Sequence, residues 1–417
     1  MKICILGLGY IGLPTAALLA SLGNEVYGCD VNGSVVNSVN EGNAHFHEPD
    51  LQMILSASVQ TGRLKASLSP TEAEYYLIAV PTPFNADMTA DMSYVISATE
   101  SICPFLSVGS TVILESTSPV GSTELVADII SRLRPDLRTP RRGEIADSPD
   151  VSVAHCPERI LPGQMLKELV SNDRIIGGLT PKCSANASRL YETFVRGACH
   201  VTDSRTAELS KLTENAFRDV NIAFANELSM ICDHMSVDVW RVRDLANKHP
   251  RVSILEPGAG VGGHCIAVDP WFIVSGAKDC SDLIRTARLV NDRKPKEIVK
   301  KLLNIADGSV DIKVVACFGA SYKADVDDLR ESPALRIIDD MSANEKLSVL
   351  VVDPHIHALP SYLLDRGVRL VTAQEALVTA DMVAILVGHS SFQNLRIPTR
   401  LASRMVDAIG LFRADQT

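Results

Sequence analysis

The sequence predicts an α/β protein: two Rossmann-like, doubly wound domains joined by a central helical domain. Three observations predict it. The chain opens with a strand, a glycine-rich turn, a helix and a second strand. Residues 207–235 carry no proline or glycine and keep a helical period throughout. Strand–helix–strand alternation then resumes at residue 313. The boundaries expected from this are 1–202 for the first domain, 203–306 for the helical middle and 307–417 for the second α/β domain.

Each element has a local reason. Residues 2–6 are a short apolar run rich in β-formers, a helical stretch follows to about Leu22, and a second apolar run, 26–29, ends at Asp30. Lys2 before an apolar stretch resembles a secretory signal, but Gly7, Gly9, Gly12 and Pro14 break it, and it reads better as strand, turn and helix. Segments 75–80, 111–114, 151–155 and 174–177 continue as strands with helical patterns between them, which extends the parallel sheet. The long helix at 207–235 crosses between domains or forms a dimer interface. Helical pattern returns over 282–305, and a polar, glycine-containing linker spans 307–311. Then 313–318 reads as a strand, 333–341 as a helix and 347–352 as a strand. The segment "TEAEYYLIAVPTP" has a weak echo in "VTADMVAILVGHS", which supports a second doubly wound domain.

Composition excludes several classes. The 417 residues are 46% hydrophobic and carry a net charge of −10, too acidic overall for a nucleic-acid binder. No run of 18 apolar residues exists, so no membrane span is expected. Ten cysteines show no CxxC pair or disulfide spacing, and Cys4, Cys29 and Cys317 lie in apolar runs as buried thiols do. A reducing, cytoplasmic compartment is expected, and no metal site.

Gly7, Gly9 and Gly12 form GxGxxG directly after a strand and before a helix. The first glycine permits the turn, the second lets backbone approach a pyrophosphate, and the third lets helix and sheet pack closely. Asp30, at the next strand's end, is placed to accept the adenosine ribose hydroxyls and to repel a 2′-phosphate. The expected cofactor is NAD. Val80-Pro81-Thr82-Pro83 and Glu115-Ser116-Thr117 leave strands at the same edge, where a plain turn is an equal alternative for each.

Two further segments point to chemistry. In the first, Gly258, Gly260, Gly262 and Gly263 precede His264 and Cys265, so a cysteine follows a loop that a ligand can approach closely. In the second, Lys211, Asn215 and Arg218 share one face of the long helix, either as a solvated stripe or as polar groups aimed at a reacting oxygen. A dinucleotide site with a nucleophilic cysteine suggests oxidation of an alcohol to an aldehyde, thiohemiacetal formation, a second hydride transfer to a thioester, and hydrolysis to the acid. A two-electron hydroxyacid dehydrogenase would need neither Cys265 nor residues 313–417. A non-catalytic nucleotide-binding sensor would not need Cys265 and Lys211.

The segments "GLGYIGLPTAALLA", "IAVPTPF", "ILESTSPVGST", "CPERILPG", "KLTENAFRDVNIAFANEL", "HPRVSILEPGAGVGGHCIAVDPWF" and "DDLRESPA" resemble the UDP-glucose/GDP-mannose dehydrogenase family, along nearly the whole chain. The resemblance implies an NAD-binding first domain, a dimerising helical middle and a UDP-sugar-binding last domain. It implies Cys265 as nucleophile, Lys211 as proton donor or acceptor beside Asn215 and Asp269, Glu158 in thioester hydrolysis, and Thr117 near the nicotinamide and a catalytic water. Gly7, Gly9, Tyr10, Ile11, Gly12, Asp30, Thr82, Thr117 and Arg330 would meet the cofactor. Arg159, Ile160, Lys211, Asn215, Arg218, His249, Arg251, Gly262, Tyr322 and Lys323 would meet the nucleotide sugar, with Arg251 reaching the site of the other subunit in a homodimer. Tyr322 stands where relatives usually carry Phe. The "IAV" after Cys265 replaces the Pro-Lys common in UDP-glucose enzymes, and Ala267 stands where UDP-N-acetylglucosamine enzymes often have Pro. These details move the expected substrate toward UDP-N-acetyl-D-mannosamine, with UDP-N-acetylglucosamine and UDP-glucose as alternatives, and the product toward cell-surface polysaccharide synthesis.

Overall fold

Two sheets organise the chain, one in each of two units, the larger mixed and the smaller wholly parallel. The structure is a computed structural model that describes residues 1–143, 149–160, 163–263, 265–308 and 311–413. One unit comprises Met1–Glu214 and Trp271–Gly276, the other Asn215–Pro270 and Ala277–Thr417.

The first unit is built on β1 (Lys2–Leu6), β2 (Glu25–Cys29), β3 (Leu64–Ser67), β4 (Tyr75–Ile78), β5 (Thr111–Leu114), β6 (Ser152–His155), β7 (Arg174–Gly178) and β8 (Cys199–Asp203). Their order is β3-β2-β1-β4-β5-β6-β7-β8. The strand order reverses between β1 and β4, the position at which open α/β sheets bind ligands. Ile3 and Ile5 point to one face and Cys4 and Leu6 to the other, all buried, because a strand covered on both sides is apolar throughout. One expectation is corrected. The sheet is not wholly parallel: β6 and β7 run antiparallel, sharing Ala154↔Gly178 and His155↔Gly177. The parallel pair β7–β8, with helix Pro181–Tyr191 between its strands, joins the edge in reverse. An apolar run such as 174–178 carries no signal of its direction, which is why the sequence could not show this.

The second unit holds β9 (Val314–Phe318), β10 (Ser348–Val352), β11 (Arg369–Leu370), β12 (Met382–Ile385) and β13 (Met405–Asp407), all parallel in the order β11-β10-β9-β12-β13. That is the winding of the first five strands of the larger sheet. The two echoing sequence segments contain β4 and β12, which occupy equivalent places beside the first strand of each sheet. Helices Asp282–Asp307 and Pro333–Ser342 pack through Ile298, Leu302, Ile337 and Met341 into one core with Val315 and Val351.

Helix Ser204–His234 carries two stripes. Glu208, Lys211, Asn215, Asp219, Asn226 and Ser229 are buried polar groups. Phe217, Phe224 and Ile231, seven residues apart, are exposed. Buried polar groups need partners. Glu208 accepts from the backbone N–H groups of Gly121 and Thr123, each at 2.7 Å. Asp219 accepts from Arg288 at 2.6 Å and Asn291 at 2.8 Å, and Asn226 donates to Asn291 at 2.9 Å.

Candidate active site

In the first unit the glycine turn has the geometry its sequence implies. Gly7 adopts φ +91, and a Cβ there would meet the Ala79 carbonyl oxygen at 2.5 Å. A Cβ at Gly12 would strike the Gly7 oxygen at 1.8 Å, so only glycine lets the helix start so near the strand. Gly9 faces open space, with nothing within 4 Å, as a backbone approached by a pyrophosphate requires. Asp30 Oδ2 accepts from Leu8 N at 2.9 Å and Oδ1 from Asn32 N at 2.9 Å. The carboxylate is thereby fixed beside the turn, partly exposed. Tyr10 is exposed and its ring stacks on Phe46 at 4.4 Å, and Ile11 is half-buried beside it. These residues fit a dinucleotide without a 2′-phosphate. The loops after β4 and β5 are tied together, because Thr82 Oγ1 donates to the Thr117 oxygen at 2.6 Å and Ser116 Oγ to the Val80 oxygen at 2.7 Å.

Beyond β6, Glu158 is buried and both its oxygens are engaged. Oε1 accepts from Arg159 N at 2.6 Å and Oε2 pairs with the buried Arg174 guanidinium. Arg159 reaches Glu214 at 2.9 Å and borders a cavity of about 290 Å³ with Asp173, His200 and Ser210. Ile160 is half-buried, and the Leu161 and Pro162 of that motif lie outside the described residues. Lys211 is buried.

In the second unit Asn215 Nδ2 donates to Asp269 Oδ2 at 2.5 Å, and Asp269 N donates to the Cys265 oxygen at 2.8 Å. Cys265 is partly exposed, unlike Cys4, Cys29 and Cys317, whose thiols burial pushes up to about 11, 12 and 12. His264 lies outside the described residues. The glycines before it allow close packing against a second loop. A Cβ at Gly262 would meet the Glu331 oxygen at 2.5 Å, and one at Gly263 the Tyr322 ring at 2.7 Å. Gly263 N donates to the Arg330 oxygen at 3.2 Å. The structure therefore brings Gly262, Tyr322 and Arg330 together. The Arg330 side chain pairs with Asp328 at 2.6 Å, and Lys323 is exposed. Arg218, His249 and Arg251 are also exposed.

Comparisons with known proteins identify the family. The family model of the UDP-glucose/GDP-mannose dehydrogenase NAD-binding domain matches residues 1–195, that of the central domain 205–293 and that of the UDP-binding domain 316–412. The chain belongs to the UDP-glucose/GDP-mannose dehydrogenase family. It is an NAD-dependent nucleotide-sugar dehydrogenase, with the Rossmann-like domains expected of that family. It is 55% identical over 99% of its length to an NDP-N-acetyl-D-galactosaminuronic acid dehydrogenase of Ralstonia nicotianae, of which the match covers 96%. It is 51% identical over 99% of both chains to the UDP-N-acetyl-D-mannosamine dehydrogenase of Escherichia coli. A solved UDP-D-ManNAc dehydrogenase from Pyrococcus horikoshii superposes with a TM-score of 0.88 at 35% identity, covering 99% of this chain and 96% of that one.

This family member also holds buried groups that sequence reading missed. Glu115, next to Thr117 by two residues, accepts from Tyr191 Oη at 2.6 Å, and burial raises its carboxyl to about 7. The Arg174 guanidinium lies 5.7 Å from the Tyr191 ring. An arginine in an apolar strand opposite a Pro-Glu-Arg loop was the available signal for this pair. Asp325, His355 and His389 place three possible metal-ligand atoms within 4.8 Å of one another. Asp325 N donates to His389 Nδ1 at 3.0 Å and His389 Nε2 meets Asp353 at 3.0 Å, so both ring nitrogens already serve a hydrogen-bond network. No helix among the described residues is long and apolar enough to cross a membrane.

Proposed function

We propose that the chain oxidises the C6 alcohol of UDP-N-acetyl-D-mannosamine to the carboxylate of UDP-N-acetyl-D-mannosaminuronate, in two oxidations joined by a covalent bond to Cys265. The carrying observation is the partly exposed Cys265 at the end of a glycine loop, with its backbone oxygen held by Asp269 and Asp269 held by Asn215. When bound, NAD accepts the hydride of each oxidation. The Cys265 thiolate adds to the C6 aldehyde, and loss of the second hydride leaves a thioester. Water hydrolyses it to the acid and restores the thiol. Lys211 and Asn215 stabilise negative charge on the reacting oxygen, and Lys211 moves the proton. Thr117 orients water, and Glu158, fixed by Arg174, assists hydrolysis.

Gly7, Gly9, Tyr10, Ile11, Gly12, Asp30, Thr82 and Arg330 are assigned to the cofactor. Arg159, Ile160, Arg218, His249, Gly262, Tyr322 and Lys323 are assigned to the nucleotide sugar. Arg251 serves the site of the other subunit in a homodimer. The dimer is supported by the exposed Phe217, Phe224 and Ile231 on the long helix, an apolar stripe of the kind that marks a protein contact. The buried free thiols support a reducing, cytoplasmic setting.

A second reading keeps the chemistry and changes the hexosamine: the 55% identical relative carries the galacto name. One experiment addresses both. The enzyme is supplied with NAD and a panel of UDP-sugars, and NADH is counted per sugar consumed. Two NADH with the manno sugar supports the proposal, two with the galacto sugar alone selects the second reading, and a ratio of one defeats both. Cys265→Ser should abolish acid formation while NAD binding survives. Acid production at the native rate would remove Cys265 from the role.

A further inference from the structure

The second sheet repeats the ligand-binding edge of the first in atomic detail. Gly319 follows β9 as Gly7 follows β1, and the two share φ values of +92 and +91. Gly319 N donates to the Val352 oxygen at 2.7 Å, and Gly7 N donates to the Cys29 oxygen at 2.8 Å. Asp353 follows β10 as Asp30 follows β2. Asp353 Oδ2 accepts from Ala320 N at 2.8 Å and Oδ1 from His355 N at 2.9 Å, the counterparts of Leu8 N and Asn32 N at Asp30.

The repeat then diverges at the phosphate position. Ser321 replaces the second glycine, and the next helix starts only at Pro333 rather than directly after the turn. Asp353 is sealed: its side chain is 0% exposed and His389 Nε2 meets Oδ2 at 3.0 Å. The dinucleotide's pyrophosphate contacts and the carboxylate that would hold its ribose therefore have no counterpart here, and a sugar would meet Thr372 and Ser391 instead.

The base position survives. At the carboxyl ends of β10 and β11 and after β12 lies a cavity of about 590 Å³, within the range that holds small ligands. It sits where the adenosine half of a dinucleotide sits in a sheet of this winding. Val371, Phe392 and Leu395 form apolar walls, and Thr372, Ser391 and Glu375 supply hydrogen-bonding groups. The described lining contains no lysine, arginine or histidine, and its two carboxylates are already engaged, Glu375 by Arg369 and Asp353 by His389. Such a slot suits an uncharged planar heterocycle and disfavours a phosphate.

We propose that this cleft is a nucleoside-binding site, separate from the catalytic residues, that holds a base and its sugar without phosphates. The test titrates adenosine, uridine and AMP by calorimetry into the full chain saturated with NAD and UDP, so that the catalytic nucleotide positions are already filled. Binding of adenosine or uridine, with AMP at least about tenfold weaker, is expected. Val371→Trp, which fills the slot, and Ser391→Trp, at its exposed rim, should each weaken binding about tenfold or more. Both variants should leave turnover intact, which also shows that they fold. No nucleoside binding up to millimolar concentrations would overturn the proposal. So would AMP binding as tightly as adenosine, or nucleoside binding that neither variant alters. None of these outcomes depends on which sugar the enzyme oxidises.

Discussion

Asn215 and Asp269 are joined by a 2.5 Å hydrogen bond in which the buried amide donates to the buried carboxylate. The same aspartate holds the turn after Cys265 through its backbone N–H. One N–H of the Asn215 amide is thus spent on Asp269, which fixes the amide's orientation, and in the proposed mechanism the other N–H meets the reacting oxygen. Asp269→Asn would allow the amide to turn over. It should lower kcat by about 10²-fold, the usual cost of losing one aimed donor, with little change in KM. Asn215→Ala should cost about the same, and the double variant no more than either single one. Steady-state kinetics on the three proteins decides the matter. Multiplicative losses would mean that the two residues act independently.

A buried ion pair supports Glu158 in the other unit. Arg174 and Glu158 are 2% and 5% exposed, too little for water to replace a lost partner. Arg174→Met leaves a buried carboxylate uncompensated and should cost about 3–5 kcal/mol of stability. Adding Glu158→Gln removes the charge and should restore most of it. Urea denaturation of the single and double variants checks this. A double variant as unstable as Arg174→Met alone would show that the arginine acts through packing, not through the carboxylate.

Much of the site was legible because its parts are local. Gly7, Gly9, Gly12 and Asp30 lie within one strand–turn–helix–strand unit, where Gly12 is hemmed in by the Gly7 oxygen and Asp30 is held by Leu8 N, although Gly7 itself is crowded by the distant Ala79. The paired echo segments similarly placed β4 and β12. What was hidden is long-range. β7 enters the sheet reversed because of pairing with β6, which no pattern inside 174–178 encodes. The polar stripe of the long helix reads as Lys211, Asn215 and Arg218 from spacing, yet the buried set continues through Asp219, Asn226 and Ser229 while Arg218 faces outward. Their partners, Arg288, Asn291 and Lys294, stand on a helix that starts at Asp282, and sequence alone gives no sign of the pairing.

Glu115 makes a pH-dependent contribution to stability. Burial raises its carboxyl from the usual range to about 7, so the folded chain binds this proton more tightly than the unfolded chain does. The contribution is fully present below the unfolded value of 4.5 and is lost as pH rises through about 7. Glu115→Gln stays neutral and keeps an acceptor for Tyr191. The wild type should therefore lose stability relative to Glu115→Gln between those two values, by on the order of 3 kcal/mol. Denaturant melts of both proteins at several pH values across the window check the sign. A constant difference would place the titration elsewhere.

Phe224, 57% exposed at the middle of the apolar stripe, and Arg251, also exposed, make separable predictions about assembly. Phe224→Asp puts a charge into the proposed helix contact and should shift the protein toward monomers on light scattering. On the proposed sharing of Arg251, activity should fall with it, because a monomer would lack the second subunit's arginine. Arg251→Ala should keep the dimer and raise KM for the sugar nucleotide, since on the proposed assignment it removes an anion contact rather than a packing one. The decisive measurement mixes two defective proteins, Cys265→Ser and Arg251→Ala, under conditions that exchange subunits. If Arg251 serves the neighbouring site, a mixed dimer holds one site with an intact thiol and an intact arginine, and the other site lacks both. At low substrate the mixture should then regain about a quarter of the wild-type sites. If Arg251 served its own subunit, every site in the mixture would lack one group or the other, and mixing would recover nothing.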